Sequence, residues 1–172
     1  MSTYSPVRPY VLHEDEGEAL WFLGNLVTMK VTGEQTRGQL TVAEFVNPAD
    51  FAPPLHRHLV EDELFYVLSG TADFLCDGRV FGAGPGDFVM LPVGLPHSFV
   101  VGAGEPLRVL QITTPSGFEG FARAAGAPAT SRCLPDPGPI DPVALGHAAS
   151  MHSIELLGPP PTAVTADATV PS

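Results

Sequence analysis

Lysine is almost absent from this chain. Of eight basic residues in 172, only Lys30 is a lysine, against 19 Asp and Glu, and the formal charge is -11. A field of that sign repels a duplex or an anionic bilayer, so neither nucleic acid nor a membrane is an expected partner. Cysteine is also scarce: Cys76 and Cys133 are too few for a disulfide framework. No apolar run approaches the ~20 residues of a membrane span. The opening Met1-Ser2-Thr3-Tyr4-Ser5-Pro6 lacks the basic-then-apolar layout of a secretory signal. A soluble cytoplasmic protein is expected. Charged residues reach only 16% while hydrophobic residues make up 44%, which excludes disorder of the whole chain. At this length one domain is expected, burying roughly 70% of the surface of its unfolded chain. The Arg-rich, Lys-poor usage with abundant Ala, Gly and Pro points to a GC-rich bacterial source.

What is plentiful is punctuation. Nineteen Pro and 18 Gly separate short apolar runs through the middle of the chain, as they do in all-β proteins. Strands are predicted over residues 20–31, 39–45, 55–58, 64–68, 72–76, 79–81, 88–91, 98–101 and 107–113, where aromatic and β-branched residues recur. Asp77-Gly78 predicts a hairpin turn, because a type I′ turn needs positive φ at both central residues. Many short strands with turns between them imply a sandwich or barrel. After Thr114 the pattern changes. Pro115 ends the sheet, Ser116 is placed to cap a short helix through Ala125 with Phe118, Phe121 and Ala122 on one face, and a second helix is predicted over 141–148 with Pro142 in its first turn. The expected division is an N-terminal arm with the first strands (1–37), a barrel (38–114), a C-terminal helical segment (115–157) and a Pro-rich tail (158–172).

Four side chains carry the chemistry. His56 and His58 lie two apart, which on a strand puts both imidazoles on one face, roughly 6.5–7 Å apart at the backbone. They can then lean together to bind one metal at ~2 Å. Glu63 offers a hard anionic ligand and a proton acceptor, and His97 follows a turn in Gly94-Leu95-Pro96-His97. Glu61 and Asp62 are rival carboxylates, read as solvated loop charges. His13, His147 and His152 fall outside the strand core and are read as surface residues. Counting in twos from Glu63 and from His97 places Phe65, Val67, Phe99 and Val101 on the same face as the ligands. Phe65, Phe99 and Val101 are the predicted lining of an apolar substrate pocket.

His56-x-His58-x4-Glu63-x6-Gly70 resembles the first motif of the cupin superfamily, and Gly86-x5-Pro92-x-Gly94-x2-His97 resembles its second. Only Glu63, among the neighbouring carboxylates, keeps the x6 spacing to Gly70. Asp50 stands where the first motif begins with Gly, and Val101 where the second ends with Asn. The resemblance covers residues 38–114. It implies an all-β cupin jelly roll (a double-stranded β-helix) with short C-terminal helices. It also implies one divalent transition metal held by His56, His58, Glu63 and His97. The donor set suits Fe, Mn, Ni, Co, Cu or Zn.

Gly24-Asn25-Leu26-Val27-Thr28, Gly33-Glu34-Gln35-Thr36 and Pro115-x-Gly117-Phe118-Glu119-x-Phe121 are similar to single-domain bacterial quercetin 2,3-dioxygenases. The stretch from His152 through Pro160 resembles quercetinase-like bacterial members. The activity this implies is cleavage of a flavonol or other enolisable aromatic substrate with O2, with Glu63 as general base. A non-catalytic small-molecule-binding cupin and a metal-dependent isomerase or decarboxylase are the alternative expectations. A homodimer is expected, since the run 20–31 and the acidic segment 14–18 could extend a neighbour's sheet.

Overall fold

The computed structural model describes residues 8–162, so the part of the predicted tail beyond 162 lies outside the described residues. Twelve strands and three helices follow in order: β1 (Glu18–Phe22), β2 (Asn25–Val31), α1 (Gly33–Thr36), β3 (Thr41–Asn47), β4 (Leu55–His58), β5 (Asp62–Ser69), β6 (Ala72–Cys76), β7 (Arg79–Ala83), β8 (Phe88–Leu91), β9 (His97–Val101), β10 (Leu107–Thr114), α2 (Phe118–Ala125), β11 (Ala127–Pro128), α3 (Pro142–Met151) and β12 (Ile154–Gly158). One sheet has the order β11-β1-β2-β3-β10-β5-β8 and the other β12-β4-β9-β6-β7. Every pairing is antiparallel, and the two sheets form the expected all-β jelly roll with short C-terminal helices.

Alternation in the sequence decides which side chains enter. In β3, Thr41, Ala43, Phe45 and Asn47 are buried and the residues between them are half-exposed; β10 repeats the pattern from Leu107 to Thr113. Between the sheets Val27, Val67, Phe74, Leu91, Leu107 and Val109 are at most 1% exposed. Two aromatic groups fill the rest. Phe74 packs against Phe65 and Phe99 at centroid distances of 5.4 Å, and Phe22 meets Phe118 and Phe121 edge-on at 5.8 and 5.2 Å. These geometries suit ring quadrupoles and add to the gain from burial.

Several sequence expectations meet the structure directly. Asp77-Gly78 joins β6 to β7, with φ of 49° and 73°. Asp50 has φ 62°, a left-handed backbone in a residue type that tolerates it. The predicted single strand over 20–31 is instead a hairpin. Leu23 and Gly24 both have positive φ (52° and 82°), and Phe22 pairs with Asn25 across them. The turn is held by Asn25, whose Nδ2 donates to Phe22 O at 3.0 Å. A leucine in the first turn position hid this from turn chemistry.

Ser116 does not cap α2. Its N-cap is Gly117, without a side-chain bond, and the buried face is Phe118, Phe121 and Ala122 as the pattern required. α3 begins after Asp141, which accepts bonds from the amides of Val143 and Ala144, with Pro142 at the first position. The C-terminal segment also returns to the barrel: β12 pairs with β4, placing Leu156 opposite His56 and Ile154 opposite His58. Among the described residues no helix is long and apolar enough to cross a membrane.

Candidate metal centre

β4, β5 and β9 deliver the four side chains. His56 and His58 alternate with Leu55 and Arg57 on β4, Glu63 is the second residue of β5, and His97 opens β9 directly opposite His56. The structure brings all four together: one ligand atom from each lies within 4.8 Å of every other. The imidazole centroids of His56 and His97 are 4.4 Å apart, and those of His58 and His97 are 5.6 Å apart. His58, Glu63 and His97 are buried; His56 keeps some surface open.

Each imidazole is oriented through its other nitrogen. His56 Nδ1 contacts Pro54 O at 2.7 Å, His97 Nδ1 contacts Leu95 O at 2.9 Å, and His58 Nδ1 contacts a Glu61 carboxylate oxygen at 2.7 Å. All three acceptors require the hydrogen to sit on Nδ1, so the Nε2 lone pairs are the ones offered to the centre. His97 Nε2 is fully buried, without a hydrogen-bond partner, 3.1 Å from a Glu63 oxygen. A lone pair facing a carboxylate in the interior calls for a cation between them, and a divalent metal fits this donor set. Gln111 Nε2 donates to the other Glu63 oxygen at 2.8 Å.

The electrostatics follow from this packing. Desolvation, reinforced by His97, lowers His56 to about 4. Burial also disfavours charge on His58, but the Glu63 charge and the Glu61 hydrogen bond outweigh it and raise the pKa. Burial works against ionisation of Glu63 too, yet His58, His97 and His56 together bring it down to about 2. Glu63 is therefore an anion in the interior.

Glu61 corrects the sequence reading. It is 6% exposed and bonded to His58, not a solvated loop charge, because the short connection from β4 to β5 folds its side chain back beneath the histidine. Asp62, by contrast, is half-exposed and accepts from the Val93 amide. Gln111 was also missed, although a polar residue on the inward face of β10 is a legible signal. His13 and His147 are exposed, while His152 is half-buried with its ring 6.3 Å from that of Phe121.

A cavity runs inward from the cluster. Phe65 and Phe99 line it, as do Phe45, Phe51, Phe118 and Leu145, so the C-terminal helices supply part of its wall. Val101 lies beyond it. Two residues past Phe99, it is 2% exposed, and its amide bonds to Phe51 O.

Fold and site together give a cupin-type jelly roll with a candidate metal centre. Residues 44–113 match the cupin domain family. It is 29% identical over 149 residues to quercetin 2,3-dioxygenase from Bacillus subtilis, covering 87% of this chain but only 43% of that relative's length. Among solved structures, a predicted oxalate decarboxylase from Thermotoga maritima superposes with a TM-score of 0.55 at 22% identity (62% of this chain, 99% of the other). The polyketide cyclase RemF from Streptomyces resistomycificus gives 0.54 at 22% identity (72% and 87%). These two similarities establish the fold.

Proposed function

We propose that this protein is a metal-dependent dioxygenase that cleaves a flavonol or similarly enolisable aromatic substrate with O2. The observation that carries the reading is the His56–His58–Glu63–His97 cluster at the head of a cavity walled largely by aromatic rings. The similarity to the Bacillus subtilis quercetin 2,3-dioxygenase supports it.

His56, His58 and His97 would hold the metal through Nε2, with Glu63 as the anionic ligand. A divalent transition metal held there would supply Lewis acidity toward an enolic hydroxyl of the substrate. Glu63 accepts that hydroxyl's proton on a carboxylate oxygen, while Gln111 keeps the group in place from behind. Phe65 and Phe99 present ring faces and edges to an aromatic substrate and exclude water from the reacting end.

The test is oxygen uptake by protein reconstituted separately with Fe, Mn, Co, Ni, Cu and Zn, against a panel of flavonols and enediols. Uptake matched to flavonol loss, and abolished in Glu63→Ala, is the expected result. No uptake with any metal and any substrate overturns the reading. Anaerobic turnover would instead identify an isomerase or decarboxylase, and stoichiometric binding indifferent to metal removal would identify a non-catalytic binder.

The same proposal includes a homodimer in the cytoplasm. The acidic segment is engaged within the chain, since Glu14 and Glu18 pair with Arg108 and Arg123. The outer face of β5 and β8, with Tyr66, Phe88 and Met90 exposed, is the more favourable surface for a second copy. Light scattering at two protein concentrations decides the stoichiometry.

A further inference from the structure

Among the described residues four buried side-chain atoms have no hydrogen-bond partner. His97 Nε2 belongs to the metal cluster, and Thr113 Oγ1 does not line the cavity. The remaining two are the carboxamide oxygens of Asn25 and Asn47, and both residues line that cavity. Each is 1% exposed. Their orientations are settled by the amide nitrogens, which have only carbonyl oxygens to meet. Asn25 Nδ2 donates to Phe22 O and Leu23 O at 3.0 and 3.4 Å, and Asn47 Nδ2 donates to Leu107 O at 3.3 Å. Neither group can flip without facing a carbonyl with its own oxygen. Both Oδ1 atoms are thus left as acceptors.

They sit on neighbouring strands: β2 and β3 pair Leu26 with Val46, and Asn25 and Asn47 are the residues just beyond that pair. On β3, Asn47 shares its inward face with Phe45 and Ala43, and Ala43 pairs with Gln111, the residue bonded to Glu63. Four residues of strand therefore separate the asparagines from the level of the metal cluster, roughly 13 Å along the strand. The wall near the asparagines is otherwise apolar, with Phe22, Phe45 and Phe51.

We propose that Asn25 and Asn47 form a hydroxyl-binding subsite at the end of the cavity remote from the metal cluster. The ligand they select is an extended aromatic with hydrogen-bond-donating hydroxyl groups on its far ring. The proposal rests on the dioxygenase reading of this cavity and deepens it. Two acceptors with no donor beside them discriminate by sign: a phenolic O–H satisfies them, whereas an unsubstituted or O-methylated ring leaves them buried and unpaired.

The test is anaerobic calorimetric titration of the full chain, metal-free and zinc-loaded, with quercetin and with 3-hydroxyflavone, which shares the enolic end but has no hydroxyl on its other rings. The expected result is quercetin binding at least ~10-fold more tightly. In Asn25→Leu/Asn47→Leu the two affinities converge to within about twofold, because quercetin loses its acceptors and 3-hydroxyflavone no longer leaves them unpaired. Equal affinities in the unmodified protein overturn the subsite and leave the dioxygenase reading standing, and this comparison does not depend on the variant folding. Binding of neither flavonol overturns both.

Discussion

A Glu61 carboxylate oxygen sits 2.7 Å from His58 Nδ1, with both side chains almost wholly buried. The contact lies behind the candidate metal cluster, and among the described residues Glu61 is the only carboxylate bonded to the Nδ1 of a cluster histidine; His56 and His97 rely on backbone carbonyls. A charged acceptor raises the basicity of the imidazole more than a carbonyl does, so this pair is expected to control affinity. Glu61→Gln, which keeps shape and removes charge, is expected to weaken metal binding about 10–100-fold without loss of the fold. Competition with a chromophoric chelator measures the affinity, and circular dichroism checks the fold.

Gln111 is expected to separate binding from turnover. It touches Glu63 through its amide nitrogen, a donor that cannot ligate a metal. In Gln111→Leu the carboxylate loses its fixed partner. Metal content should stay within about twofold of the parent, while kcat for flavonol oxidation falls on the order of 10-fold. Elemental analysis beside steady-state oxygen uptake reads both.

The metal-free centre should show a stability optimum in pH. His58, raised above 6.5, contributes stability that is full below 6.5 and is lost as pH rises through its folded value. His56, lowered to about 4, contributes stability that is full above 6.5 and is lost as pH falls toward 4. Glu63, lowered to about 2, loses its own contribution between 4.5 and 2. The two histidines therefore oppose one another around pH 6.5, and below it His56 and then Glu63 both withdraw support. Thermal unfolding of metal-free protein from pH 3 to 9 should place the highest Tm near 6.5. Metal binding, which displaces the proton from His58, should move that optimum upward.

Phe74 tests the core beneath the site. It is fully buried and touches Phe65, Phe99 and Phe81, the first two of which line the cavity. Phe74→Ala is expected to cost about 3–5 kcal/mol of stability. Urea denaturation followed through the single Trp21 measures the loss.

The barrel was legible because its signals are local. His56-x-His58 needs only a strand to put two imidazoles on one face, and the Gly70, Gly86 and Gly94 positions do adopt positive φ of 76°, 90° and 81°. Where local chemistry misleads, the reading failed. Leu23 is an unpromising turn residue, and only the Asn25 amide bonding back across it makes the hairpin of β1 and β2. β12 was read as the end of a helical segment because its partner, β4, lies about a hundred residues earlier.

The amino-acid sequence by itself determined the type of fold and singled out the four residues of the candidate cluster, since period-two burial and residue spacing are properties of a single strand and its turns. Tertiary structure decided what surrounds those donors. Glu61 turned inward beneath His58, Gln111 reached Glu63 from another strand, and Asn25 of β2 and Asn47 of β3 came to line one cavity. Each of these depends on which strands become neighbours. That choice rests on the burial energy of the whole core rather than on the residues of any one segment.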